Sequence, residues 1–489
     1  MTTLVDQARD VLQRAQTVFA GTDGADTVGA ALTRLDGPLR VAIAGKVKAG
    51  KSTLLNALVG ERLAPTDTGE CTRVVTWYRD GHTYQVLVHP KDGSGAIQAR
   101  FHRDEGAIEV DLGGRDANDI DHLDITWPSS GLRRLTLIDT PGVDSLTEGV
   151  GTRAFQFLDP DDNATPADAV LYLMKHIHAS DLRLLEAFHD DEVSTPNPVN
   201  AVAVLSRADE IGAGRLDSMA SARRIAKRYG DDGRLRRLVQ VVVPVAGLLA
   251  ETAETLTEWE FKALRSLATV PAKDLEPYLL SADRFVEARP ETPMTSLERQ
   301  QLLDRFGLFG VRLSLALLRR NVVDSSVELS DELIERSGLV QLQTLLTTLF
   351  VDRADVLKAR SALLAVEQLC LAHPDRPGTN DLVLDIERIM AGAHPFNELA
   401  TMAAVRSGWI TAKQADLDDL ERVLGSSGTA PWQRLSLEPG ATPEDLRETA
   451  IKELSRWQRL AENPFTTHDL ATAARVAIRS LEAIVTAAM

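Results

Sequence analysis

A chain of 489 residues with 54 basic against 71 acidic side chains carries a net charge of −17, which repels nucleic acid and anionic lipid alike unless a local patch overrides it; no nucleic-acid partner is expected. With 44% apolar and 26% charged residues, and a length beyond what one core supports, the expectation is about two to four globular domains. Two cysteines, Cys71 and Cys370, exclude a disulfide framework and fit a reducing interior; the opening MTTLVDQARD, with Asp6 and Asp10, does not read as a signal peptide.

In chain order, Leu4, Ala8, Val11, Leu12, Ala15, Val18 and Phe19 recur at spacings of three and four and form one amphipathic helical stripe. Its apolar face needs a partner from elsewhere in the chain. From Leu39 to about Val243, β-like runs alternate with helical ones: RVAIAG, RVVTWY, YQVLVH, AIEVDL, HLDITW, LTLID, DAVLYLM, VNAVAVLS and LVQVVV. This pattern predicts a mixed sheet covered by helices on both faces, of the α/β class. The basic cluster from Arg223 to Arg237 reads as a solvated helix face. The longest apolar run, Val241 to Ala250, is about half of the roughly 20 residues that a membrane-spanning helix needs.

Beyond about Pro244 the β signal stops. From Ser337 to His373 the helical period meets no breaker after Gly338, predicting one helix of about 35 residues, roughly 50 Å long. It needs an elongated bundle to cover its stripe. The later breaks, AHPDRPGTN, GAHPF, GSSGTAPW, LEPGATPED and ENPFTTHD, read as short connections between bundle helices.

The chemistry is concentrated in LRVAIAGKVKAGKSTLLNALVG, from Leu39 to Gly60. Gly45, Gly50, Lys51 and Ser52 fit the phosphate-loop pattern, in which glycines let backbone N–H groups converge on phosphate oxygens and the next helix adds its positive end. Ala49 and Thr53 belong to the same turn. Lys51 would bridge the β and γ phosphates and Ser52 would ligate Mg²⁺. In RLTLIDTPGVDS, Asp139 closes a β run where it can hold the metal shell through water, and the Gly142 N–H can reach a γ-phosphate. In NAVAVLSRADEIG, the Asp209 carboxylate could accept from the N1–H and exocyclic amine of guanine, which adenine does not offer; this argues for GTP and GDP. Small GTP-binding domains place Asn or Thr and then Lys before that aspartate, whereas here Ser206 and Arg207 stand there. The Arg207 guanidinium can still stack on a base. VVPVAG puts Ala246 and Gly247 where a backbone N–H would touch the guanine carbonyl, with Ala246 the site candidate. Thr72 is the candidate second Mg²⁺ ligand, with Thr66 and Thr68 as rivals.

With these pieces in order, the chain resembles the dynamin superfamily, and among its bacterial members the actinobacterial isoniazid-inducible dynamin-like proteins of the IniC type. An amphipathic helix ahead of the nucleotide domain, strands inserted between the phosphate loop and Asp139, and a long helical region behind carry the likeness, which covers nearly the whole chain. The resemblance implies three segments: residues 1–36, a helical segment that joins a bundle; 37–262, a dynamin-type GTPase domain; and 263–489, a helical neck and trunk. It also implies GTPase domains that dimerise across the nucleotide, Mg²⁺-dependent GTP hydrolysis, and work on membranes from a peripheral position on the cytoplasmic face. The enzyme reading has a rival, an adaptor that binds nucleotide, hydrolyses poorly and docks on a sister dynamin-like protein. An ordinary ribosome-associated or regulatory GTPase fits less well with the acidic charge and the long bundle.

Where many dynamins carry Gln and Ser, this chain has Val47 and Lys48. The resemblance suggests that Lys48 sets an ammonium near the β and γ phosphates, where relatives hold an arginine or a monovalent cation; a solvent-facing lysine is the alternative. No glutamine follows Gly142 to position water. KHIHASDLRLLEAF occupies the place of the loop that dynamins use across the dimer, with Asp181 the candidate contact. His176 and His178 lack a third metal ligand nearby. Trp409 with Ile410, Phe396, and Phe306 with Leu308 and Phe309 are candidate membrane wedges at a bundle tip, or else core.

Overall fold

The computed structural model describes residues 3–65, 74–104, 107–142, 167–177, 182, 185, 200–287 and 294–488. Among these, a nine-stranded sheet runs β11-β10-β9-β1-β8-β2-β7-β3-β4. Its strands are β1 (Leu39–Gly45), β2 (Val75–Arg79), β3 (Gln85–Pro90), β4 (Ile97–Gln98), β7 (Ile120–Thr126), β8 (Leu135–Asp139), β9 (Ala169–Met174), β10 (Ala201–Ser206) and β11 (Val242–Val245). β5 (Arg100–Asp104) and β6 (Ala107–Asp111) form a separate hairpin. β8, β1, β9, β10 and β11 are parallel. β2 turns antiparallel to β8, and β7 follows parallel to β2 and antiparallel to β3. The sheet is therefore mixed, as its run of inserted strands implies.

Helices cover both faces of the parallel part, which is why β1, β9 and β10 are apolar at nearly every position. Val41 and Ile43 face one core with Leu54 and Leu55 of α3 (Lys51–Val59), and Phe350 joins them. Ala42 and Ala44 face the other, which takes in α4 (Ser218–Gly230), α5 (Gly247–Glu254), α6 (Glu258–Ala268), α7 (Ser296–Arg319) and α8 (Ser326–Ser337). The expected boundary at 262/263 therefore cuts through this core, because Leu275, Leu302, Phe306 and Leu333 pack with the sheet-side residues. α8 ends at Gly338, φ 85, which lies so close to the Pro244 carbonyl of β11 that a Cβ would collide with it. α9 (Leu339–Leu345) follows.

The expected continuous helix from 337 to 373 is interrupted. Residues Leu346–Phe350 form a π turn and Val351–Arg353 a 3₁₀ turn before α10 (Ala354–Ala372). Leu346, Leu349 and Phe350 are held in the sheet-side core. Arg353, a few residues on, turns inward to donate to the carbonyls of Leu424 and Gly425, at 3.1 and 2.6 Å. One 3.6-residue period cannot serve both faces, and the break resets the phase.

α1 (Leu4–Val18) starts at a capping box in which Thr3 and Asp6 each accept the other's backbone N–H. Its stripe, Ala8, Val11, Leu12 and Ala15, packs with α2 (Gly24–Asp36), with Ala359, Leu363 and Val366 of α10, and with α11 (Thr379–Gly392). α12 (His394–Arg406), α13 (Gln414–Val423) and the hairpin of α14 (Pro443–Glu462) and α15 (His468–Ala487) close a further core around Trp457 and Leu481. The Arg406 guanidinium donates to the Gln240 carbonyl at 3.0 Å, joining this bundle to the sheet domain.

Candidate functional site

β1 delivers the chain to the phosphate-loop turn. At Gly45, φ 149, a Cβ would stand 2.5 Å from the Leu173 carbonyl oxygen of β9, so a side chain cannot be housed where the turn leaves the sheet. Lys48 (φ 61) and Gly50 (φ 93) are left-handed, and α3 begins at Lys51. The Lys51 ammonium lies back over the turn, 3.4 Å from the carbonyl oxygens of Gly45 and Lys46. Ala49 is buried, and Gly50 and Thr53 line a cavity beside it.

The bend after β8 meets this turn face to face. Thr140 is fastened to the Ile43 carbonyl through its N–H and its hydroxyl, at 3.3 and 2.9 Å. A Cβ on Gly142 would fall 2.5 Å from Cγ2 and 2.8 Å from Cα of Val47, so glycine is required for the contact. Ser52 Oγ donates to Asp139 Oδ2 at 2.9 Å, while the buried Oδ1 has no hydrogen-bond partner. Burial pushes the Asp139 carboxyl above the usual range, against the pull of Lys51 and Ser52. A buried carboxylate oxygen left bare beside the Ser52 hydroxyl offers oxygen ligands that fit a hard cation such as Mg²⁺.

The cavity next to the turn, about 150 Å³, is lined by Ala49, Gly50, Thr53, Ser206, Asp209 and Leu248, among others. β10 ends at Ser206, and Arg207, φ 52, turns the chain into it. Burial pushes the Asp209 carboxyl up to about 6, with Glu210 adding to the rise and its own backbone N–H, Arg207 and Lys175 opposing it. Arg207 donates to the Lys48 carbonyl at 3.1 Å and to Glu210 at 2.6 Å, bridging the base loop to the phosphate turn. Ser206, met in the sequence only as a departure, has a buried Oγ without a partner at the cavity wall. Its position directly before Arg207 was the available signal.

Ala246 is placed differently from its expected role. Its N–H is given to the Ser337 carbonyl at 2.8 Å, so it does not face the cavity as a donor. Gly247, the other residue expected there, lines the cavity with Leu248 at the start of α5. Helix-opening N–H groups have no intrahelical acceptor, which leaves Gly247, with Leu248 beside it, as the candidate for a base carbonyl. The Lys48 side chain is exposed. Thr66, Thr68, Thr72, His178 and Asp181 lie outside the described residues. Among the described residues no cluster of three His, Cys, Asp or Glu side chains could hold a metal.

Of the wedge candidates, Phe306, Phe309, Phe396 and Ile410 are buried and Leu308 is half-buried, whereas Trp409 is 65% exposed. Phe465, in the turn between α14 and α15, is 96% exposed and had no periodicity to announce it. On α4, Arg223, Arg224, Lys227 and Arg228 face solvent. Among the described residues no helix is long and apolar enough to cross a membrane.

Residues 41–185, which include the phosphate-loop turn after β1 and the Asp139 bend after β8, match the model of the Dynamin family. The chain is 40% identical over 460 residues to the isoniazid-induced protein IniC of Mycobacterium tuberculosis, covering 94% of this chain and 92% of that one. It is also 32% identical over 117 residues to a bacterial dynamin-like protein of Nostoc punctiforme, 22% of this chain and 17% of that one. Among solved structures, a chain of an oligomerised bacterial dynamin pair aligns over 98% of this chain and 75% of its own, at 14% identity and a TM-score of 0.30. The chain is a member of the IniC family of bacterial dynamin-like GTPases.

Proposed function

We propose that this GTPase grips GTP between the Gly45–Ser52 turn and the Asp139–Gly142 bend, and that loss of the terminal phosphate relaxes that grip and moves the helical bundle. The observation that carries this is the Ser52–Asp139 pair at 2.9 Å with the second Asp139 oxygen bare and buried. Ser52, with Asp139 acting through water and Thr72 from the first switch, would hold Mg²⁺, which when bound neutralises charge on the β and γ phosphates. Lys51 releases the Gly45 and Lys46 carbonyls to meet phosphate oxygens, and the Gly142 N–H faces the terminal group. Asp209 accepts from the guanine edge, Arg207 covers the base, and Lys48 brings its exposed ammonium, or a monovalent cation in its place, to the phosphates when two GTPase domains meet. Asp181 contacts the partner copy.

Transmission to the bundle is favoured by two chain crossings that lie together. Gly37–Leu39 and Val351–Asp355 flank one cavity of about 360 Å³, where Arg134 and Asp352 stand 4.0 Å apart. Family membership supports work at the cytoplasmic face of the plasma membrane, alone or with a sister dynamin-like protein. The adaptor alternative is favoured by a bundle in which, among the described residues, Trp409 and Phe465 are the only exposed aromatics. GTP turnover measured against protein concentration, with and without anionic liposomes, separates the two. Specific activity that rises with concentration, and loses that rise in Asp181→Ala, supports the dimerising enzyme; turnover at the Lys51→Ala background under every condition refutes it. Full activity with unchanged potassium dependence in Lys48→Ala removes the role given to Lys48.

A further inference from the structure

The loop that carries Asp209 is fastened by a helix that the sequence assigns to another part of the protein. Gly212, Ala213 and Gly214 follow one another at φ 68, 62 and 66, a left-handed run that disfavours alanine. The run turns its carbonyls toward α7, where one guanidinium collects them: Arg312 Nη1 donates to Ala213 O at 2.9 Å and to Gly214 O at 2.5 Å. The other side of the same guanidinium is anchored on the Leu279 carbonyl, reached by Nε at 3.0 Å and also by Nη2. Arg312 is thus a rigid fork between two backbone segments.

α7 also passes directly behind the carboxylate. It is kinked at Gly307, φ 59 and ψ 174, a conformation essentially restricted to glycine. A Cβ there would stand 3.8 Å from Asp209 Oδ2 and 3.6 Å from Leu248 Cδ2, and both of those residues line the base cavity. Before the kink, α7 is tied down by Arg305, which pairs with Glu260 at 2.6 Å and whose carbonyl accepts from Thr252.

We propose that Arg312 is a positioning residue for base recognition: by holding Ala213 and Gly214 it sets the loop so that Asp209 meets the base, with the Gly307 kink as the backstop behind the carboxylate. This rests on Asp209 as the guanine contact. It makes the base, and not only the terminal phosphate, a point at which α7 senses the nucleotide, and by reciprocity displacement of α7 loosens the base.

The test compares dissociation constants of the full chain for GDP and for IDP, which lacks the 2-amino group that Asp209 would receive. The wild type should favour GDP by about 10- to 100-fold, the range for a hydrogen bond to a charged group. In Arg312→Ala the GDP constant should weaken about tenfold more than that for IDP, which shares only the N1–H contact, so the ratio should fall about tenfold. Arg312→Lys, which keeps a cationic donor, should recover part of it. A merely structural role would lower the melting temperature and weaken both ligands equally; a retained ratio overturns the proposal. If Arg312→Ala does not fold, Gly307→Ala, whose methyl has room but whose φ is strained, is read in the same way. A wild-type ratio near one removes Asp209 as the guanine contact, and this role with it. A normal wild-type ratio kept by the variants overturns this role alone.

Discussion

The Asp209 carboxyl offers a perturbation that needs no mutation. It accepts from guanine only when ionised, yet in the free protein burial, assisted by Glu210 and resisted by its own backbone N–H, Arg207 and Lys175, raises it from 3.8 to about 6. Below that point each pH unit should weaken GDP binding about tenfold, because the proton must leave first. Relative to about pH 8, binding at about pH 5 should be roughly ten times weaker. Stability of the free protein moves with the opposite sign. A carboxyl raised on folding stabilises the fold most below its unfolded value of 3.8, and that contribution, on the order of 3 kcal/mol, is lost as pH rises through about 6. Titration calorimetry with GDP across this range, with Asp209→Asn as the control that cannot ionise, measures the effect. GDP affinity that is flat with pH in the wild type, or that falls equally in Asp209→Asn, refutes Asp209 as the base contact.

Other consequences are structural. Leu12, fully buried between α1, α2 and α10, should cost about 2–5 kcal/mol when cut to alanine, seen as an earlier urea transition of the bundle. Glu398 is raised by burial but held down to about 2 by hydrogen bonds from His394, Arg434 and Ser480. Its stabilisation of the α12–α15 core, on the order of 3 kcal/mol, is complete above its unfolded value of 4.5 and is lost as pH falls toward 2; Glu398→Gln should flatten the acid limb of a stability-against-pH curve. By contrast, the exposed Arg134 meets Asp352 at 4.0 Å, and Asp352→Ala should shift stability by less than about 1 kcal/mol in the same urea assay.

Where a residue's role is set by its chain neighbours, it could be read from the sequence. Gly45, Gly50, Lys51 and Ser52 owe their geometry to a strand, a turn and a helix that are contiguous, and Asp139 to the strand that ends in it. Buried parallel strands announce themselves as unbroken apolar runs, so β1, β9 and β10 were legible. Features decided at long range were not. The Ala246 N–H is taken by Ser337, which no local pattern pairs with it. The turn at Leu346–Arg353 contains no glycine or proline; it arises because Phe350 and Arg353 are claimed by different cores. The helices after residue 262 have ordinary amphipathic stripes, and periodicity does not reveal that Phe306 and Leu333 are buried against the sheet and not in a separate bundle.

The central claim is that the phosphate turn and the Asp139 bend act as one metal-assisted grip. Steady-state GTP hydrolysis by the full chain, titrated with Mg²⁺ in the wild type, Lys51→Ala and Asp139→Ala, tests it most directly. Mg²⁺-dependent turnover that Lys51→Ala abolishes, and that Asp139→Ala restores only at far higher Mg²⁺, is the expected result. Turnover that survives Lys51→Ala, or an Mg²⁺ requirement unchanged by Asp139→Ala, would contradict it.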